Sequence, residues 1–181
     1  FDEVGKAGEA VAAVIASGCV PAGLEMMDRK ATRAVEEFVH ADYPVDAAAI
    51  LLVETDGTHA EVAADMAELT RLLREAGATS IRVSKDERER LLLWSGRKAA
   101  FPAIGRITPD YYCMDGTIPR RALAEVLLRI EALSEQYRLR CANVFHAGDG
   151  NLHPLILFDA NMPDELQRAE AFSVEVLALC V

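Results

Sequence analysis

The chain has 181 residues, enough for one domain with a substantial hydrophobic core. Hydrophobic residues make up 51% of it and charged residues 27%, as is usual for soluble globular proteins. The net charge of −10, with no basic run to offset it, argues against a nucleic-acid-binding surface. No apolar run approaches the ~18–20 residues that span a bilayer, so we predict a soluble, cytoplasmic chain that is not transmembrane.

The hydrophobic spacing predicts that helices and strands alternate along most of the chain. In chain order the predicted elements are a helix over 1–17, a strand over 22–27, a helix over 29–40, a strand over 47–54, a helix over 59–76, a strand over 80–84, a helix over 86–98, a strand over 110–118, a helix over 119–136, strands over 138–145 and 152–158, and a helix over 162–181. Asp28 is the predicted N-cap of the second helix, and Pro119 the predicted first residue of the helix over 119–136.

Long amphipathic helices join most of the predicted strands, and a tight turn joins the last pair. This order predicts one α+β domain over residues 1–181, of the ferredoxin-like kind, with a mostly antiparallel sheet and helices packed on one face. A doubly wound parallel sheet is the alternative. It is weakened because no Gly-x-Gly-x-x-Gly or Gly-x-x-x-x-Gly-Lys-Ser/Thr loop follows a strand.

The cysteines indicate the redox compartment, and the chain ends indicate whether the domain is part of a longer polypeptide. The four cysteines are widely spaced, with no Cys-x-x-Cys pair, which predicts free thiols in a reducing compartment. The first residue is not methionine, and the last predicted helix has no closing cap. We therefore expect a domain excised from a longer polypeptide and truncated at its C-terminus.

The most informative segment is His-Ala-Gly-Asp-Gly-Asn-Leu-His-Pro, over residues 146–154. Asp-Gly between two apolar runs is a strong hairpin signal, because a type I′ turn needs positive φ at both central residues. A turn at Asp149 and Gly150 would set His146 directly opposite His153, with Cβ atoms about 4.5–5.5 Å apart. Imidazole is a common zinc ligand, so this pair predicts part of a metal site that still needs a third protein ligand. The alternative is that both histidines are half-buried and hydrogen-bonded to backbone.

This segment closely resembles the signature of the C-terminal domain of FAD-linked oxidases, a family that includes the glycolate oxidase flavin subunit and D-lactate dehydrogenases. Two other segments are similar to the same domain: Trp94-Ser95-Gly96-Arg97, and Asp115-Gly116-Thr117-Ile118-Pro119-Arg120. The resemblance covers essentially the whole chain, and it is strongest to the glycolate oxidase and D-lactate dehydrogenase group. It implies a substrate-binding domain of an enzyme that oxidises a small 2-hydroxy acid by hydride transfer to FAD.

The resemblance also implies roles for individual residues. His146 and His153 would be two ligands of a divalent metal such as zinc, in members that carry one, and the metal would polarise the substrate 2-hydroxyl. Arg97 would bind the substrate carboxylate, since a guanidinium matches a carboxylate bidentately. Asn151 would lie close to the flavin. Without the family context, Arg97 on a charged helix would be a solvated residue.

Other family features are expected outside this chain. The FAD-binding domain should precede residue 1, and a Gly-Glu-His-Gly segment with the third metal ligand and a histidine base should follow residue 181. No catalytic residue is therefore assigned within the chain, which alone should neither hold FAD tightly nor turn over. The resemblance further implies other glycolate oxidase subunits or an electron acceptor as partners, through which the protein would sit at the inner face of a membrane.

Two positions depart from relatives that act on longer dicarboxylates. Cys113 stands where those relatives place a lysine, and Phe101 where they can carry a polar substrate contact. Both departures favour a smaller or less polar acid, such as glycolate or lactate. The alternative function is a non-catalytic ferredoxin-like module that binds a small molecule or a partner, but such a module has no need of two facing imidazoles.

Overall fold

The computed structural model describes residues 1–180. In that range the helices are α1 (Val4–Ala16), α2 (Arg29–Val39), α3 (His59–Glu75), α4 (Glu87–Lys98), α5 (Ala100–Ile104), α6 (Leu123–Tyr137) and α7 (Glu165–Ala178). The strands are β1 (Gly23–Asp28), β2 (Ala49–Glu54), β3 (Asp110–Cys113), β4 (Gly116–Thr117), β5 (Arg140–Phe145), β6 (Asn151–Leu152) and β7 (Pro154–Phe158). No helix of this part of the chain is long and apolar enough to cross a membrane.

One main sheet organises the domain. Its strand order is β2-β1-β5-β7-β3, and β4 and β6 form a separate two-stranded sheet. Every pair of neighbouring strands over residues 1–180 is antiparallel. The structure thus confirms the predicted α+β class with a mostly antiparallel sheet, and it excludes the doubly wound parallel alternative.

Helices cover both faces of the main sheet. On one face α1, α3, α6 and α7 enclose a cluster that includes Met26, Phe145 and Ile156. On the other face α2, α4 and α5 enclose a cluster that includes Met27 and Leu157. Successive strand residues point to opposite faces, so strands that are apolar at every position need cover on both sides. The expectation that helices pack on one face only is therefore wrong in this detail.

Local signals account for several element ends. The Asp28 carboxylate accepts a hydrogen bond from the Ala31 amide at 2.9 Å, as the predicted N-cap of α2 should. The same side chain accepts two bonds from Asn143 of β5, each 2.9 Å long. Helix α3 begins with a capping box in which Thr58 and Glu61 bond to each other's backbone amides.

Several predicted elements differ from the structure, among them the strand over 152–158, which is divided into β6 and β7. Residues 80–84 form no strand, and Arg82 of this segment instead donates to the carbonyls of Ala41 and Asp42. The strand over 110–118 is split into β3 and β4, because β3 pairs with β7 and β4 with β6. Pro119 leads into a 3-10 turn over Arg120–Ala122, so α6 starts later than predicted. The last helix spans Glu165–Ala178, and residue 181 of its predicted range lies outside the described residues.

Candidate functional site

Helix α4 approaches the sheet closely because two glycines leave room for large rings. A Cβ atom on Gly23 of β1 would lie 2.9 Å from Cη2 of Trp94 on α4. A Cβ atom on Gly96 of α4 would overlap the Tyr43 ring. The first contact holds α4 against β1 and the second holds it against the loop between α2 and β2, so that Arg97, the next residue of the helix, reaches Glu25 of β1.

The hairpin that carries the two histidines has a longer loop than predicted. His146 pairs with Asn151, not with His153, and residues 147–150 form the connection. Of the two predicted turn residues only Gly150 has a positive φ, 74°, whereas a type I′ turn requires two. The direct pairing of His146 with His153 is therefore wrong, and the register is shifted by two residues.

The register shift leaves both histidines on the same sheet face, because side chains alternate with a period of two. Their ring centroids lie 5.2 Å apart, with ring planes at 83°. The His146 side chain is 44% exposed and the His153 side chain 15%. The Nδ1 atom of His153 lies 3.4 Å from the Met114 carbonyl oxygen, and the Phe101 ring meets the His153 ring edge-on at 6.3 Å. The two imidazoles are thus adjacent as predicted, although the strand pairing that brings them together differs from the predicted one.

Glu25 joins Arg97 and His146 into one cluster. The Arg97 Nε atom donates to one carboxylate oxygen of Glu25 at 2.7 Å, and Nδ1 of His146 lies 2.7 Å from the other oxygen. The Arg97 Nη2 atom lies 3.4 Å from Nε2 of His146. The side chains of Arg97 and Glu25 are only 11% and 12% exposed, so water screens this pair weakly.

Asn151 lies at the edge of the cluster. Its Nδ2 atom donates to the Asp115 carboxylate at 3.2 Å. Its Oδ1 atom is buried and has no hydrogen-bond partner among the described residues. A buried acceptor without a donor is costly, so this atom is suited to a group supplied from outside the chain.

Cys113 lies on the same sheet face as His153, two strand positions from it across the β3–β7 ladder, where Cys113 pairs with Leu155. Partial burial, aided by the Asp115 carboxylate, raises the pKa of the Cys113 thiol. The Cys113 thiol is therefore uncharged at neutral pH.

No group of three or more His, Cys, Asp or Glu side chains that could hold a metal ion exists within residues 1–180. The rings of His146 and His153 are adjacent, but Nδ1 of His146 is occupied by the Glu25 carboxylate. The nearer carboxylate oxygen of Asp115 lies 4.0 Å from Nδ1 of His153. The described residues thus supply two candidate ligands and not a complete site.

Sequence reasoning selected three residues that the structure brings together, namely Arg97, His146 and His153, but it missed Glu25. The predicted strand over 22–27 included Glu25 without giving it a role. A signal was available, since a carboxylate inside the otherwise apolar strand Gly-Leu-Glu-Met-Met needs a buried partner.

Comparison with known protein families matches residues 1–181 to the model described as FAD linked oxidases, C-terminal domain. The chain therefore belongs to this family. It is 61% identical over its full length to the glycolate oxidase subunit GlcD of Escherichia coli K12, and 30% identical over 97% of its length to GlcD of Bacillus subtilis. It is 26% identical over 96% of its length to a probable mitochondrial D-lactate dehydrogenase of Danio rerio.

The chain spans only about a third of each of these relatives: 36%, 37% and 35% of their lengths in the same order. Among solved structures, 98% of the chain superimposes on 41% of p-cresol methylhydroxylase with substrate bound, with a TM-score of 0.70 and 16% identity. Likewise, 99% of the chain superimposes on 38% of the length of an alkyldihydroxyacetonephosphate synthase, with a TM-score of 0.65 and 10% identity. At these identities the structural likeness concerns the fold.

Proposed function

We propose that this chain is the substrate-binding domain of an FAD-dependent 2-hydroxy-acid dehydrogenase or oxidase of the glycolate or D-lactate type. The observation that carries the proposal is the fixed Arg97 guanidinium beside two adjacent imidazoles. Membership of the FAD-linked oxidase family supports this function over the alternative of a non-catalytic binding module.

Arg97 is the proposed anchor for the substrate carboxylate. A guanidinium carries five N–H donors, of which Glu25 accepts one from Nε and His146 faces another from Nη2. The remaining donors on Nη1 and Nη2 are free to bind a carboxylate through two parallel hydrogen bonds. Since Arg97 is largely buried, its orientation is fixed before the acid arrives, which lowers the entropy cost of binding.

His146 and His153 are the proposed contacts for the 2-hydroxyl group of the substrate. A divalent ion such as zinc would take these two imidazoles, and it would supply Lewis-acid polarisation of that hydroxyl. Because residues 1–180 offer only these two ligands, the third ligand would have to come from outside this range.

Asn151 is the proposed contact with the flavin. Its buried, unpartnered Oδ1 atom can accept a hydrogen bond from FAD, while its Nδ2 atom stays bonded to Asp115. FAD bound there would supply the hydride acceptor for oxidation at C2 of the substrate. The rest of the cofactor site, and the base that removes the hydroxyl proton, are proposed to lie in other parts of a longer protein.

Phe101 and Cys113 are proposed to limit the substrate to a small acid. Phe101 packs edge-on against His153, and Cys113 presents a neutral thiol on the same face. Neither side chain pairs with a second carboxylate, so glycolate and D-lactate fit the site better than a dicarboxylate does.

The proposed partners are other glycolate oxidase subunits and an electron acceptor. This proposal rests on the name of the Escherichia coli relative, which is a subunit of glycolate oxidase. We propose that such subunits hold the protein at the inner face of the membrane.

The test uses the full-length gene product. Its visible spectrum is recorded anaerobically before and after addition of glycolate, D-lactate or D-2-hydroxyglutarate. We expect a yellow protein that glycolate or D-lactate bleaches. A colourless protein, or a yellow one that none of the three acids bleaches, would sink the proposal in favour of the binding module.

A further inference from the structure

Glu25 is the one carboxylate of residues 1–180 that contacts both Arg97 and His146. It lies on β1, Arg97 lies on α4, and His146 directly follows β5. Extending the β1–β5 register of Met26 with Phe145 and Met27 with Val144 sets Glu25 opposite His146. Three separate elements therefore meet at one side chain that is 12% exposed.

The hydrogen bonds around His146 specify its tautomer. Arginine has no acceptor atom, so Nε2 of His146 can only accept from the Arg97 Nη2 group 3.4 Å away. The proton of the neutral ring then resides on Nδ1, which donates to the Glu25 carboxylate at 2.7 Å. This tautomer leaves one lone pair on Nε2, which faces Arg97 and is the only acceptor of the ring that a substrate hydroxyl could use.

We propose that Glu25 is a positioning residue that fixes the tautomer of His146 and the direction of the Arg97 guanidinium. The inference rests on the proposed function, since it explains how the carboxylate anchor and the hydroxyl contact keep one relative geometry. With Glu25 in place, the acceptor atom of His146 and the guanidinium of Arg97 are held next to each other, 3.4 Å apart. A substrate carboxylate and its 2-hydroxyl, on adjacent carbons, require such a pair of neighbouring contacts.

A second ion pair also attaches α4 to the sheet, and it allows the positioning role of Glu25 to be distinguished from a purely structural one. Glu54 of β2 accepts from Arg90 of α4 at 2.8 Å, so it too joins a strand to this helix. The Glu54 side chain is 31% exposed, so this second ion pair is also partly buried. Glu54 therefore provides a matched control for the loss of a strand-to-α4 ion pair away from the cluster.

The experiment compares Glu25→Gln with Glu54→Gln in the full-length flavoprotein. The amide introduced by Glu25→Gln has one oxygen and one NH2 group, so it can accept from only one of the two donors. We expect kcat to fall at least about tenfold, as is usual when a residue that orients a reactive histidine is lost. KM should change less than kcat, because looser binding by Arg97 is offset by removal of a negative charge near the substrate carboxylate.

Flavin content and thermal unfolding are measured for both variants, and rates are normalised to bound flavin. A low kcat in Glu25→Gln with a normal kcat in Glu54→Gln supports the proposal. Equal losses in the two variants, or a Glu25→Gln kcat within about twofold of the wild type, overturn it. If Glu25→Gln holds no flavin, Glu25→Asp decides: its shorter side chain cannot reach both partners, so a wild-type kcat there also overturns the proposal.

A crystal structure of Glu25→Gln gives a readout that needs no turnover. We expect the His146 ring or the Arg97 guanidinium to leave its present position, and unchanged positions of both contradict the inference. Flavin reduction in the wild-type protein distinguishes failure of the proposed function from failure of the proposed role of Glu25. A wild-type flavin that no 2-hydroxy acid reduces contradicts the proposed function, whereas equal reduction of wild type and Glu25→Gln contradicts only the role of Glu25.

Discussion

The Glu25 carboxylate and the Arg97 guanidinium form an ion pair 2.7 Å long that joins β1 to α4 beside the two histidines. Both side chains are almost buried, so removal of either would leave an uncompensated charge out of water. The pair makes the position of Arg97 depend on how α4 packs against the sheet. A mutation that alters the packing of α4 against the sheet should therefore also displace Arg97.

Gly96 is the position where this dependence is most direct. In Gly96→Ala the added Cβ atom overlaps the Tyr43 ring, and such overpacking costs about 1–3 kcal/mol. We expect a lower melting temperature and a higher KM, because α4 must move and Arg97 moves with it. Gly5→Ala is the control: it lies in α1 with no atom within 4 Å of the new Cβ, and should be neutral or stabilising. Equal melting temperatures of the Gly96→Ala and wild-type proteins would contradict this packing argument.

Tyr43 should make the stability of the protein depend on alkaline pH. Burial raises the pKa of Tyr43 to about 12, above the value of about 10 for an unfolded tyrosine. The unfolded chain therefore loses this proton first as the pH rises, and the contribution of Tyr43 to the free energy of unfolding falls between about pH 10 and 12. Thermal unfolding of wild type and Tyr43→Phe across this range measures the effect. The difference between the two proteins should shrink with rising pH, and a constant difference would refute the prediction.

The two histidines should be needed for reduction of the flavin and not for the fold. In His146→Ala or His153→Ala we expect the rate of reduction by a 2-hydroxy acid to fall at least about a hundredfold, with flavin content unchanged. His59→Ala is the control, since His59 is the exposed first residue of α3. The measurement is anaerobic rapid mixing followed at the flavin absorbance. Wild-type rates in both site variants would remove the histidines from the proposed mechanism.

Phe101 and Cys113 should set the size and charge of the accepted acid. We expect the double variant Phe101→Thr, Cys113→Lys to shift the ratio of kcat/KM values from glycolate towards D-2-hydroxyglutarate by at least about tenfold. The reason is that an ammonium group can pair with the second carboxylate. Cys113→Ser with Phe101 intact is the control and should keep the wild-type ratio. A double variant with the wild-type ratio would show that these positions do not contact the acid.

Much of this site was predictable from sequence because its signals are local. The Asp-Gly loop between apolar runs predicted a hairpin, and the spacing of His146 and His153 predicted neighbouring rings. The predicted register was wrong because only Gly150 takes a positive φ, yet the shift of two residues kept both rings on one face.

Other features depend on contacts between distant segments. Glu25 and His146 are separated by 121 residues along the chain, so no local pattern links them. The unbroken apolar runs of the strands indicate cover on both faces of the sheet, but which helix lies on which face depends on how the chain crosses the sheet, and helical spacing does not encode this. The strand predicted over 80–84 failed for the same reason, because a strand requires a partner and Arg82 bonds to a loop instead.

The central claim, that this domain binds the carboxylate of a 2-hydroxy acid through Arg97, is tested most directly by the substrate dissociation constant. This constant is obtained from the saturation of the anaerobic flavin-reduction rate in the full-length protein. For Arg97→Lys we expect binding at least about tenfold weaker, because an ammonium cannot form the bidentate contact and also reach Glu25. Arg90→Lys, which changes the ion pair with Glu54, should bind as the wild type does. An Arg97→Lys protein that is reduced with the wild-type dissociation constant would contradict the account.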